Sequence, residues 1–216
     1  MGYGLNKMSI KQRNVLPLFS SPVYVSTIEE NLDYVFKSIK NLKYIPANNY
    51  GTYMSETVDV LSKFPSLNNA LLDEFNYYKN SYLYYEDTEF FMTTSWITKC
   101  IPNSTSHKHN HLNSLYSGVL YFQGGKDFAD IRLFNDGIIP QQIELKDPTQ
   151  WNTFNSSSWD ISSIPNRVII FPSYLYHEVS FHGANEDRYS LAFNLFPKGN
   201  LGKFDSSLDI KQTLNG

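Results

Sequence analysis

The chain has 216 residues, enough for one good-sized core or two small ones, and a single decorated domain is the leading expectation. Its 18 Lys and Arg stand against 21 Asp and Glu, a formal net charge of -3, and the cations are scattered, which argues against a nucleic-acid partner or an anionic-membrane footprint. Cys100 is alone, so no internal disulfide forms and a reducing, cytoplasmic setting is expected; no run reaches the roughly 20 apolar residues of a membrane helix.

The opening residues, MGYGLNKMSIKQRN, are polar and lack the apolar stretch of a secretory leader. LPLFSSPVYVS then reads as a short strand. A helix is predicted after it, with Thr27 and Glu30 in capping-box relation and Leu32, Val35, Phe36, Ile39 and Leu42 at helical spacing. A second helix runs from Pro65, a good first-turn residue, through Tyr82, with Leu67, Leu71, Phe75, Tyr78 and Tyr82 as its apolar stripe. Both stripes read as core. From Glu89 the texture changes to short β-type runs between turn residues, as in a sandwich or barrel. EFFMTTSWITKC, SLYSGVLYF, DIRLFN, NRVIIFPS, YLYHEVSFH and DRYSLAFNLF are the predicted strands. With 16 Tyr and 15 Phe, residues that suit pleated and half-buried surfaces, a β-rich core is expected. Residues 136–165 form a long Asn- and Ser-rich stretch holding Trp151 and Trp159, which reads either as a selectivity loop or as a surface loop pinned by two aromatics. The organisation expected is an N-terminal strand and two supporting helices over 1–88, a β core over 89–197, and a loose tail over 198–216.

All five histidines fall between positions 107 and 182, and three alternate in SHKHNHLN. In an extended strand, residues two apart project to the same side about 6–7 Å from one another, so two of His107, His109 and His111 can share a metal ion. Imidazole is the commonest protein ligand for iron, zinc, copper and nickel, and His177 is the natural third ligand. Spacing alone leaves open whether the pair is His109 with His111 or His107 with His109. His182, at an odd offset from His177, is expected on the opposite face in a structural role. Arg188 opens the last strand with Ser190 two residues on, a guanidinium and a hydroxyl suited to a carboxylate.

TTSWITK, HNHLNSLYSGVLYF, VIIFPSYLYHEV and DRYSLAFN, in that order, resemble the Fe(II)- and 2-oxoglutarate-dependent oxygenases, and most nearly a family with a His-x-His motif found in bacteria and in phages of marine cyanobacteria. The resemblance implies a double-stranded β-helix (jelly roll, cupin-like) with flanking helices. It also implies His109, His111 and His177 as ligands of a catalytic Fe(II), and Arg188 with Ser190 as the anchor for 2-oxoglutarate. Tyr121 is similar in place to a tyrosine that helps to bind this cosubstrate in prolyl-hydroxylase-like members. In such folds the ligand strands lie in one sheet and the Arg strand faces them from the other.

The sequence departs from the wider superfamily at His111, where a carboxylate is usual. Three imidazoles leave about two positive charges on the iron site instead of about one. The reaction implied uses O2 to oxidise a protein side chain or a small molecule while 2-oxoglutarate becomes succinate. The missing carboxylate keeps open a three-His dioxygenase independent of 2-oxoglutarate or a zinc hydrolase, and a non-catalytic jelly roll with a structural metal is the reading from another class.

Overall fold

The computed structural model describes residues 14–135 and 147–211. The strands of the β-rich half fall where alternation places them, beginning with β4 (Glu89–Cys100), β5 (Tyr116–Tyr121) and β6 (Ile131–Phe134). They continue with β8 (Arg167–Pro172), β9 (His177–Val179) and β10 (Arg188–Leu201). Three short strands precede them: β1 (Tyr24–Thr27), β2 (Tyr44–Pro46) and β3 (Thr52–Ser55). β7 (Ser158–Ile161) and β11 (Leu208–Ile210) complete the set.

A large antiparallel sheet runs β1-β8-β5-β10-β4-β3-β2, with β11 on the far end of β10, and a smaller one runs β7-β6-β9. The segment that leads to His111 lies beside β9, joined by bridges Ser104 to His182 and His109 to His177. The strand face decides what each residue does. On β10, Leu191, Phe193 and Leu195 enter the outer core, whereas Arg188, Ser190 and Ala192 line a cavity between the sheets. On β5, Leu120 points outward, while Val119 and Tyr121 join Ile131, Leu133, Ile169 and Phe171 in a second core between the sheets. Two opposed sheets around an inner cavity are the double-stranded β-helix that the sequence implied.

The helices cover the outer face of the large sheet. α1 (Asp33–Ile39) buries Val35 and Ile39, and α2 (Pro65–Tyr78) buries Leu67, Leu71, Phe75 and Tyr78, with Pro65 in its first turn. Gly118 lets β5 pass beneath this layer, since a Cβ there would come 2.2 Å from the ring of Phe193, its partner on β10.

Several expectations need correction. Thr27 does not cap α1, because it ends β1 opposite Arg167; Asn31 Oδ1 instead accepts the backbone N–H of Asp33 at 2.7 Å. Within LPLFSSPVYVS, only Tyr24 onward is strand. Tyr82 lies in a π turn (Lys79–Leu83) that follows α2 and is exposed, not part of the buried stripe. The stretch predicted as a loose tail from Lys198 is instead the end of β10, which returns on β11 through Gly199↔Ile210 to Leu201↔Leu208; residues 212–216 lie outside the described residues. The opening residues 1–13 lie outside them too. Residues 136–146 of the Asn- and Ser-rich stretch do as well, and Trp159 further along it sits on β7 opposite Leu133.

Candidate metal and cosubstrate site

Two strands bring the first pair of histidines together. His109 and His177 are direct cross-strand partners, each backbone N–H donating to the other's carbonyl at 2.9 and 2.8 Å, so their rings stand side by side with centroids 4.4 Å apart. His111, two residues along from His109 and on the same side, brings its ring to 5.2 Å from His109 and 5.0 Å from His177. One ligand nitrogen from each of the three lies within 4.8 Å of the others.

Backbone carbonyls orient two of the rings. His107 O is 3.0 Å from His109 Nδ1 and Leu175 O is 3.0 Å from His177 Nδ1, so each Nδ1–H donates to a carbonyl and Nε2 keeps its lone pair for an ion. Phe171 meets the His177 ring edge-on at 4.9 Å, and Trp96 meets His111 in the same way at 5.4 Å. Burial holds all three histidines below the ordinary imidazole range, His111 at about 4 and His177 at about 3, with the neighbouring imidazoles adding to the effect. The rings are therefore neutral at neutral pH, the state a metal requires.

His107 is exposed at the cavity rim and stands outside this group. His182 is fully buried on the other side, where its Nδ1 accepts the Ala129 N–H at 3.3 Å and its Nε2–H donates to Glu186 O at 2.7 Å.

The cavity beside the three imidazoles measures about 240 Å³ and reaches Arg188 on the opposite sheet. Arg188 is 1% exposed, yet among the described residues no ion pair includes it. Its Nε donates to Ala129 O at 3.1 Å and its Nη1 to Ser190 Oγ at 3.2 Å, with Cys100 Sγ 3.9 Å from Nη1 and the Tyr121 ring 5.1 Å from Cζ. Tyr121, Ser190 and Thr98 stand in one row across β5, β10 and β4. Burial pushes the Tyr121 phenol up to about 12, against the pull of the Arg188 guanidinium, so it stays protonated and able to donate. A buried cation without an acidic neighbour is costly unless an anion joins it, and Arg188 with Ser190 and Tyr121 is a cradle for one.

The sequence did not single out the remaining wall. Trp96 and Thr98 reach it through β4, and Asn48, Thr52 and Met54 through the β2–β3 hairpin. The alternation Thr94, Trp96, Thr98 was the available signal for the first two. Trp151 and Trp159 do not reach this cavity and line a separate surface cleft instead. A further groove of about 370 Å³, between the start of α2 and β4, contains no histidine or arginine.

Residues 94–194, which hold all six predicted site residues, match the family model described as "Putative 2OG-Fe(II) oxygenase". The matched stretch, a little under half of the chain, is thus similar to this Fe(II)/2-oxoglutarate-dependent family. Among solved structures it is similar to a 2OG-Fe(II) oxygenase family oxidoreductase from Burkholderia pseudomallei, at 14% identity over 76% of each chain with a TM-score of 0.53. A Pseudomonas putida prolyl-4-hydroxylase matches at 16% identity over 81% of this chain and 93% of its own, with a TM-score of 0.52. HygX from Streptomyces hygroscopicus, solved with nickel, 2-oxoglutarate and hygromycin B, matches at 10% identity over 81% and 82% with a TM-score of 0.58. At these identities the likeness is one of fold. No curated protein matches the chain.

Proposed function

We propose that this chain is an Fe(II)- and 2-oxoglutarate-dependent dioxygenase that hydroxylates a C–H bond of a protein side chain or a small molecule. The observation that carries the reading is one cavity with three neutral imidazoles at one end and, at the other, a buried guanidinium that has no ion pair among the described residues. The donor set fits both groups. Imidazole nitrogens suit Fe(II), and three protein ligands leave positions for cosubstrate and O2. Arg188 fits the distal carboxylate of 2-oxoglutarate, with Ser190 and Tyr121 adding hydroxyl donors.

When bound there, iron and 2-oxoglutarate supply the oxidising power, O2 giving one atom to succinate and one to the substrate while carbon dioxide leaves. The rest is the work of this chain. His109 and His177, held by carbonyls of their own strands, need no proton loss to act as ligands. Val119, Ile131, Phe171 and Val179 give the cavity an apolar wall that limits water.

The three-His set alone also suits a metal dioxygenase that needs no 2-oxoglutarate. Against that stands Arg188, which is buried without an ion pair among the described residues and so favours a reading that includes an anionic cosubstrate. Aerobic incubation with Fe(II) and 2-oxoglutarate tests the choice. Succinate should form above a metal-free control, and Arg188→Met should abolish it. No succinate in the wild type, or undiminished succinate in Arg188→Met, contradicts the proposal.

A further inference from the structure

Among the described residues, Arg188 is the one charged side chain lining the cavity beside the neutral inner imidazoles, and no Asp or Glu lines it. Asp130, the acid that acts on Tyr121, is turned away and accepts the Ser163 N–H at 2.8 Å.

The function proposed above, on which this inference rests, places a divalent ion on three neutral ligands. The ion brings two positive charges and Arg188 a third, while 2-oxoglutarate brings two negative ones. One positive charge is left over. A carboxylate in place of His111 would cancel it, and an imidazole does not. In a site sheltered from water such an imbalance is costly and attracts an anion strongly.

The wall beside His111 is built to receive one. Trp96 lies against its ring, and the only interaction of Trp96's side chain among the described residues is that ring contact, so the indole N–H is without an acceptor. His111 also differs from His109 and His177 in that, among the described residues, no carbonyl is bonded to its ring.

Size narrows the choice. At about 240 Å³ the cavity is smaller than the roughly 300–1,000 Å³ typical of sites for drug-sized ligands, and 2-oxoglutarate must occupy part of it. We infer that the substrate is anionic, presenting a carboxylate on a short stem at the wall formed by His111 and Trp96. A small free acid and an acidic side chain share that chemistry.

The test uses the full chain, loaded without oxygen with Fe(II) and excess 2-oxoglutarate, and reads the charge-transfer absorption of that complex during titration with propionate or its neutral isostere propionamide. Propionate should shift the band with a dissociation constant at least tenfold lower than that of propionamide. The preference should vanish in His111→Asp, which returns the missing negative charge. Trp96→Phe, without the indole N–H, should weaken propionate severalfold and leave propionamide unchanged, and it serves alone if His111→Asp does not take up iron. A capped Gly-Asp-Gly peptide in parallel distinguishes the sources, since the tighter of peptide and propionate names the form in which the acid arrives.

Equal or tighter binding of propionamide overturns the inference. So does a preference that survives in His111→Asp, a preference that Trp96→Phe leaves undiminished, or a band that propionate bleaches by displacing 2-oxoglutarate. A wild-type protein that shows no band before any probe is added contradicts the oxygenase reading itself and takes this inference with it. The two failures are thereby distinct.

Discussion

At the scale of single residues, Arg188 is an expensive arrangement, a guanidinium that is 1% exposed and has no ion pair among the described residues. Buried charges of this kind are often worth more to function than to stability, and an apolar residue of similar length commonly restores stability. Arg188→Met should therefore weaken 2-oxoglutarate binding at least a hundredfold in calorimetry while leaving the urea midpoint unchanged or higher. Tyr121→Phe removes one hydroxyl donor, worth about 1 kcal/mol net, so cosubstrate affinity should fall about fivefold to tenfold with little effect on folding. His109 and His111 were legible because alternation within SHKHNHLN puts them on one side of an extended segment, though alternation alone did not separate them from His107. The isolation of Arg188 was not legible, because it depends on which acids fold nearby and where they turn. Neither was the place of Thr98, which follows from the register Ser190↔Thr98 between strands about 90 residues apart in sequence.

At the scale of elements, the strongest patterns held and the short polar ones escaped notice. β4 spans Glu89–Cys100 as the sequence suggested, because its bulky and β-branched residues leave little else for it to form. β2 and β3 are three and four residues long and carry too little alternation to announce a hairpin, yet they supply Thr52 and Met54 to the cavity. β11 was hidden in a polar stretch whose strand character comes only from pairing with β10. Close packing between elements gives a test of its own. Gly118→Ala forces a methyl into the Phe193 ring and should cost about 1–3 kcal/mol in urea unfolding, and a neutral result would mean that β5 and the helix layer have room to part.

At the scale of the whole molecule, two sheets of opposite duty make the site. The large sheet is held from outside by α1 and α2 and offers Arg188 inward, while the small sheet and the segment beside it offer the imidazoles. The arrangement has a consequence for pH. The three histidines titrate below their unfolded value of 6.5, so their contribution to stability is complete above pH 6.5 and is lost as pH falls toward about 4 and about 3, where the unfolded chain takes protons that the folded one resists. Metal-free protein should show a urea midpoint that declines from about pH 6.5 downward, and His177→Gln should flatten that decline; an identical slope in the variant would contradict the assignment.

The central claim is that three imidazoles, and not His107, meet on one ion. Crystals grown without oxygen in the presence of Fe(II), with diffraction recorded on both sides of the iron absorption edge, test it most directly. A single anomalous peak bonded to His109, His111 and His177 is the predicted result. No peak at that point, or one bonded to His107 and His109 without His111, would contradict the account.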